Sequence, residues 1–143
     1  ICEGLSEQEF QTRVLVERLR GMEDSSRFWS CALTIDHLLI TLKGMTQVAL
    51  DLAQGKEVMI KVGTAEVKPK QENVTNKLTM LQNFKILTDE TVTKLQPYAD
   101  EHSKTYKAQH PWFGQISSEG WVWSISQHHA LHRKQIQLIV KQL

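Results

Sequence analysis

The segment from about Arg27 to Gln54 constrains the fold more than any other part of the chain. Apolar residues recur in it at helical spacing on two sides. Ile35, Leu39, Leu42 and Ala49 form one stripe; Leu33, His37, Ile40, Gly44 and Val48 form a second. A helix that is apolar on two sides belongs in the middle of a bundle, with neighbours on both. Gly55 predicts its end.

Three further helical segments provide those neighbours. The first opens at Ser6, which with Glu9 makes a capping box; Phe10, Val14, Leu15 and Leu19 continue the helical spacing, and Gly21 predicts the stop. The third is expected over Glu72–Tyr98, with Val74, Leu78, Leu81, Phe84, Val92 and Leu95 on its buried face and a kink or interruption near Thr88-Asp89-Glu90. The fourth is capped by Ser117, carries Glu119 in its first turn, and runs to the C-terminus through Trp121, Ile125, His132, Ile136 and Ile139. Residues 56–70 read as a loop or short hairpin, with mild strand character over Val58–Val62. The expectation is a single-domain, all-α four-helix bundle with a long connection between helices 2 and 3.

Composition narrows the function. Across 143 residues, 17 basic and 16 acidic side chains leave a formal net charge of +1. That balance offers no broad electrostatic footprint for nucleic acid or an anionic membrane. Asp36, His37 and Lys43 interrupt the longest apolar runs, so no membrane span is expected. Glu3, Glu7 and Glu9 are the wrong chemistry for a secretory signal. Cys2 and Cys31 make neither a disulfide framework nor a CxxC pair, which points to a cytoplasmic, reducing setting.

The chemistry lies in the histidines. His128-His129-Ala130-Leu131-His132 falls within the fourth helix, whose apolar stripe centres near Ile125 and Ile136. His132 lies close to that centre and faces inward. His128 and His129 flank it, and periodicity alone does not choose between them as its partner. Four-residue spacing, the commoner way for one helix to offer two imidazoles to one ion, favours His128. His37 on the two-sided second helix is the candidate third ligand. The competing reading is a wet helix flank with one satisfied core histidine, but a buried imidazole needs partners for its nitrogens, and a metal is one. Three histidines leave a coordination position open, the pattern of a catalytic site, at which a water or a thiol is activated. The absence of HExxH removes the zinc-protease signature. Asp36 points to another side of its helix and reads as a surface or supporting residue. His102 is expected to be exposed, and His110, before Pro111, to be extended and structural. Trp121 reads as core, Trp112 and Trp123 as candidates for a pocket mouth or a subunit contact.

Three stretches in order carry a resemblance: Phe28-Trp29-Ser30 through Asp36-His37-Leu38-Leu39; His110-Pro111-Trp112-Phe113-Gly114 followed by Glu119-Gly120-Trp121; and His128 through His132-Arg133-Lys134-Gln135-Ile136. Together they resemble the DinB-like superfamily of four-helix metal-binding proteins. Lys134 departs from the pattern, standing where a small residue is common. The resemblance implies an up-down-down-up helix order and selects His37, His128 and His132 as ligands of a divalent ion, zinc or nickel. It also implies a homodimer. It further implies a metal-dependent enzyme, with thiol S-transfer to or from a small thiol preferred over hydrolysis. The alternatives are a non-catalytic metal-binding, stress-associated protein and a metal-free helical interaction module.

Overall fold

The computed structural model describes residues 1–60, 67–99 and 106–143. They are mostly helical, with four helices: α1 (Glu7–Gln11), α2 (Cys31–Ala53), α3 (Lys77–Leu95) and α4 (Ser118–Val140). Two small antiparallel pairs accompany them, β1 (Val14–Leu15) with β2 (Phe28–Trp29), and β3 (Ala108–His110) with β4 (Gly114–Ile116). No helix among the described residues is long and apolar enough to cross a membrane.

The first expected helix is cut short. Its capping box forms as read, Ser6 accepting from the Glu9 N–H while the Glu9 carboxylate accepts from the Ser6 N–H. The chain then turns extended at Thr12, and Val14–Leu15 pairs with Phe28–Trp29 instead of continuing the helix. Side chains here alternate with the period of a strand: Val14 packs on the core, Leu15 is exposed and Val16 is buried. The β-branched residues favour that outcome. Gly21 adopts a positive φ of 88° within the turn from Leu19 to Met22 and is not a helix stop.

For the same reason α2 begins at Cys31, not Arg27. Ser30 caps it by accepting from the Leu33 N–H at 3.1 Å. It ends before Gly55, whose φ is 72°. Helix α3 is shorter at both ends than expected, with separate 3-10 turns at Gln71–Asn73 and Gln96–Tyr98. It runs unbroken through Thr88-Asp89-Glu90 because the Thr88 hydroxyl donates back to the Phe84 carbonyl and Lys85 pairs with Asp89 one turn on. Its buried positions are Met80 and Thr91; Leu78 and Val92, assigned above to the inner face, are exposed. Helix α4 follows the expectation closely, with Ser117 as cap and Trp121, Ile125, His132, Ile136 and Ile139 buried.

Residues 56–60 have no strand; the rest of the expected Val58–Val62 segment, like His102, lies outside the described residues. The loop at His110 is a hairpin, its turn formed by Pro111, Trp112 and Phe113.

Helices α2 and α4 run antiparallel, as two contacts establish. His37 meets His128 at one end, and the Ser118 hydroxyl donates to the Ala49 carbonyl, 2.9 Å, at the other. One apolar cluster around Phe10, Cys31, Ile35, Leu38, Met80 and Ile139 lies beyond the histidine end. A second, around Ala49, Leu52, Ala108 and Trp121, lies toward the other. The histidines lie at the inner edge of the first cluster, His37 standing between Ile35 and Leu38 in sequence and His132 next to Leu131.

Candidate metal centre

His37, His128 and His132 converge. One nitrogen from each ring lies within 4.8 Å of the others, and His37 and His132 are buried. His37 Nε2 is 3.1 Å from His128 Nε2. The arrangement fits a divalent ion: metal–nitrogen bonds of about 2.0–2.1 Å at a tetrahedral angle separate two ligand nitrogens by about 3.3 Å. His129 is not part of the group. Its ring centre lies 5.6 Å from that of Phe84 on α3, whereas His128 is the ring that joins His37 and His132.

Two of the rings are held in one tautomer from behind. His37 Nδ1 sits 2.6 Å from the Val67 carbonyl, which only accepts, so Nδ1 carries the proton and Nε2 presents its lone pair toward His128. His132 Nδ1 sits 2.7 Å from the Gln135 side-chain oxygen, and the Gln135 amide NH₂ donates to the Ser26 carbonyl at 2.7 Å. That second bond fixes which end of the amide faces His132. His132 Nε2 therefore also points its lone pair away from the support. Such outer contacts fix ring orientation and raise ligand basicity in metal sites. Among the described residues His128 has no such support: its Nδ1 is buried without a hydrogen-bond partner.

Burial pushes all three imidazoles below their ordinary pKa. It does so for His37 against the Val67 contact; for His132 it brings the value down to about 4. His128 falls to about 2, through burial first and then the adjacent His132 and His37. The rings are accordingly neutral at pH 7, the state a metal requires.

Asp36 supports the site indirectly. It is buried and accepts from the Lys70 N–H at 2.9 Å and the Asn73 side-chain amide at 3.3 Å. It thereby pins the link that presents the Val67 carbonyl to His37. Trp29 forms a wall, its ring centre 5.1 Å from His37 and 6.1 Å from His132, nearly parallel to the latter. Sequence reasoning passed over Gln135 as a support, although it stands three residues after His132 on the same helical face. The Val67 carbonyl carried no readable signal.

The three histidines line one wall of an open cleft of about 1050 Å³. Its remaining lining is largely apolar and aromatic, including Ile40, Met45, Trp112, Trp121 and Trp123. Trp121 is core, whereas Trp112 and Trp123 are exposed at the mouth, as their sequence context allowed. His110 is extended at the end of β3 and buried, and it too lines the cleft. In comparisons with known proteins, no family model and no curated protein matches the chain.

Proposed function

We propose that the protein binds one divalent ion, zinc or nickel, through His37, His128 and His132, and uses it as a DinB-like, metal-dependent thiol S-transferase. The observation that carries this reading is the convergence of three neutral imidazoles, two of them locked in tautomer, on the wall of an open cleft. A divalent ion in this ligand set lowers the pKa of a thiol or water that takes a remaining position. Openness favours an enzyme over an ion that only ties helices together, which needs no cleft.

Thiol transfer is preferred over hydrolysis because of what faces the site. Among the described residues the only acidic side chain lining the cleft is the exposed Glu23. Hydrolysis gains from a carboxylate that takes a proton from water, while a thiol is acidic enough to ionise without one. His37 and His132 keep their outer N–H bonds and hold the site rigid; Trp29 shields it from water. The same reading takes the fold as an up-down-down-up bundle with its long link at 54–76, part of which secures His37. The free buried thiols of Cys2 and Cys31 fit a reducing compartment such as the cytoplasm. A homodimer fits the outer face of α3, where Leu78, Ile86 and Val92 are exposed.

The test is conjugation of small thiols to 1-chloro-2,4-dinitrobenzene by the zinc- or nickel-loaded protein. The expected result is turnover that requires the metal and falls at least about 100-fold in His132→Ala. Equal rates with metal-free protein, or none with any thiol of a chemically varied panel, contradict the assignment.

A further inference from the structure

Two hydrogen-bond donors on residues lining the cleft have no protein acceptor among the described residues. The first is His110. The Trp112 N–H donates to its Nδ1 at 3.1 Å, closing the hairpin turn, so Nδ1 is the bare nitrogen and Nε2 carries the proton. Among the described residues no protein group accepts from that Nε2–H. The ring is fixed by its neighbours, with Phe113 stacked at 4.7 Å and Trp121 at 4.9 Å between centres. The second donor is Trp121 itself. It is 4 % exposed, it lines the cleft, and its Nε1–H is buried without an acceptor among the described residues. Leaving a buried donor such as Trp121 Nε1–H unpaired costs free energy, and with the accessible His110 N–H on the neighbouring ring it marks the place of a ligand.

Their position relative to the histidines defines that ligand. Trp121 precedes His128 by seven residues on α4, about 10 Å along the axis. On the facing helix the corresponding stretch from His37 passes Thr41 and Gly44, both lining the cleft, and a side chain added at Gly44 would meet nothing within 4 Å. The space between the two ends is therefore open and largely apolar. Along the cleft Arg20, Lys68 and Lys134 outnumber the single carboxylate Glu23, Lys68 and Lys134 at the histidine end, so the cleft as a whole carries a positive excess that favours a negative ligand. The two rings are neighbours, 4.9 Å between centres, and a carboxylate has two oxygens with which to accept from both; such charge-assisted bonds are the stronger kind.

We propose that His110 and Trp121 form a carboxylate subsite, so that the cleft takes an apolar-bodied small molecule whose carboxylate lies about two helical turns from its metal-binding atom. The inference rests on the metal-centre reading above and specifies the substrate class for it. His110 and Trp121 touch the ligand and take no part in holding the ion.

The test uses cobalt(II)-loaded protein, with binding read from the visible spectrum, and two probes of one shape: 4′-mercaptobiphenyl-4-carboxylate, whose sulfur and carboxylate stand about two helical turns apart, and 4′-methylbiphenyl-4-thiol. The expected result is a preference for the carboxylate probe that falls about tenfold or more in His110→Asn and in Trp121→Phe, the loss expected for one hydrogen bond to a charged group. His110→Asn retains a side-chain acceptor for the Trp112 N–H but lacks the distant donor; His110→Gln has the reverse pattern and should keep most of the preference. Cobalt content of one ion per chain in each variant confirms that the fold and the histidine site persist, and the use of two positions keeps the test decisive if one variant fails to fold. An unchanged preference in both His110→Asn and Trp121→Phe, or no preference in the parent, overturns the subsite while leaving the metal centre standing. Failure of the parent to bind cobalt overturns the metal centre, and the subsite with it.

Discussion

Gln135 acts through His132. Its side-chain oxygen accepts the His132 Nδ1–H, and its amide is itself held by the Ser26 carbonyl, so the ring cannot turn its bare nitrogen away from the other two. Gln135→Leu removes that bond from a fully buried position and is expected to weaken zinc binding by about 10–100-fold, measured by competition with a chromophoric chelator. Unaltered affinity would show that packing alone orients the ring. The depressed histidines also set a pH dependence for the metal-free protein. His128 and His132 are neutral when folded, down to about 2 and about 4, but take up protons in the unfolded chain below the ordinary value near 6.5. Between those limits the unfolded chain binds more protons, so stability is fully present above pH 6.5 and falls as the pH drops through the window. Urea midpoints at pH 7.5, 6 and 5 should decline in that order; a flat series contradicts it.

At the scale of the element, what the sequence made legible follows from periodicity. His37, His128 and His132 were readable because α2 and α4 are long, capped by serines, and carry side-chain direction in a fixed rotation per residue. Ser6 and Glu9 were readable for the same local reason. The shortening of α1 was not, because Val14 and Leu15 fit a helical stripe as well as a strand, and the pairing of Val14 with Trp29 and Leu15 with Phe28 decided the matter. Val67 was invisible: its carbonyl contributes through the backbone of an aperiodic link that Asp36 anchors. Two glycines on these helices separate space from strain. A Cβ at Gly44 meets nothing, so Gly44→Ala should stabilise the protein by about 0.5–1 kcal/mol through helix propensity. A Cβ at Gly120 would lie 2.8 Å from the Ile116 Cβ, so Gly120→Ala should destabilise by about 1–3 kcal/mol through overpacking of α4 on β4. Thermal or chemical denaturation of the pair checks both signs.

For the whole molecule, the site sits where two antiparallel helices from distant parts of the chain meet, at the edge of the apolar cluster that includes Ile35, Leu38 and Ile136. An ion there joins α2 to α4 and should raise the melting temperature, with a stabilisation of about 4 kcal/mol at a thousandfold excess over Kd. The exposed apolar face of α3 belongs to this scale as well. Leu78→Glu with Val92→Glu is expected to convert a dimer to a monomer in sedimentation equilibrium without altering metal content; a parent that is already monomeric contradicts the dimer. The central claim is tested most directly by metal stoichiometry. Elemental mass spectrometry on untagged protein incubated with zinc or nickel, beside His37→Ala and His132→Ala, should give one ion per chain in the parent and a loss of it in both variants. No bound metal in the parent, or the same amount in the variants, would contradict the three-histidine centre and leave these side chains as packing residues of a helical domain.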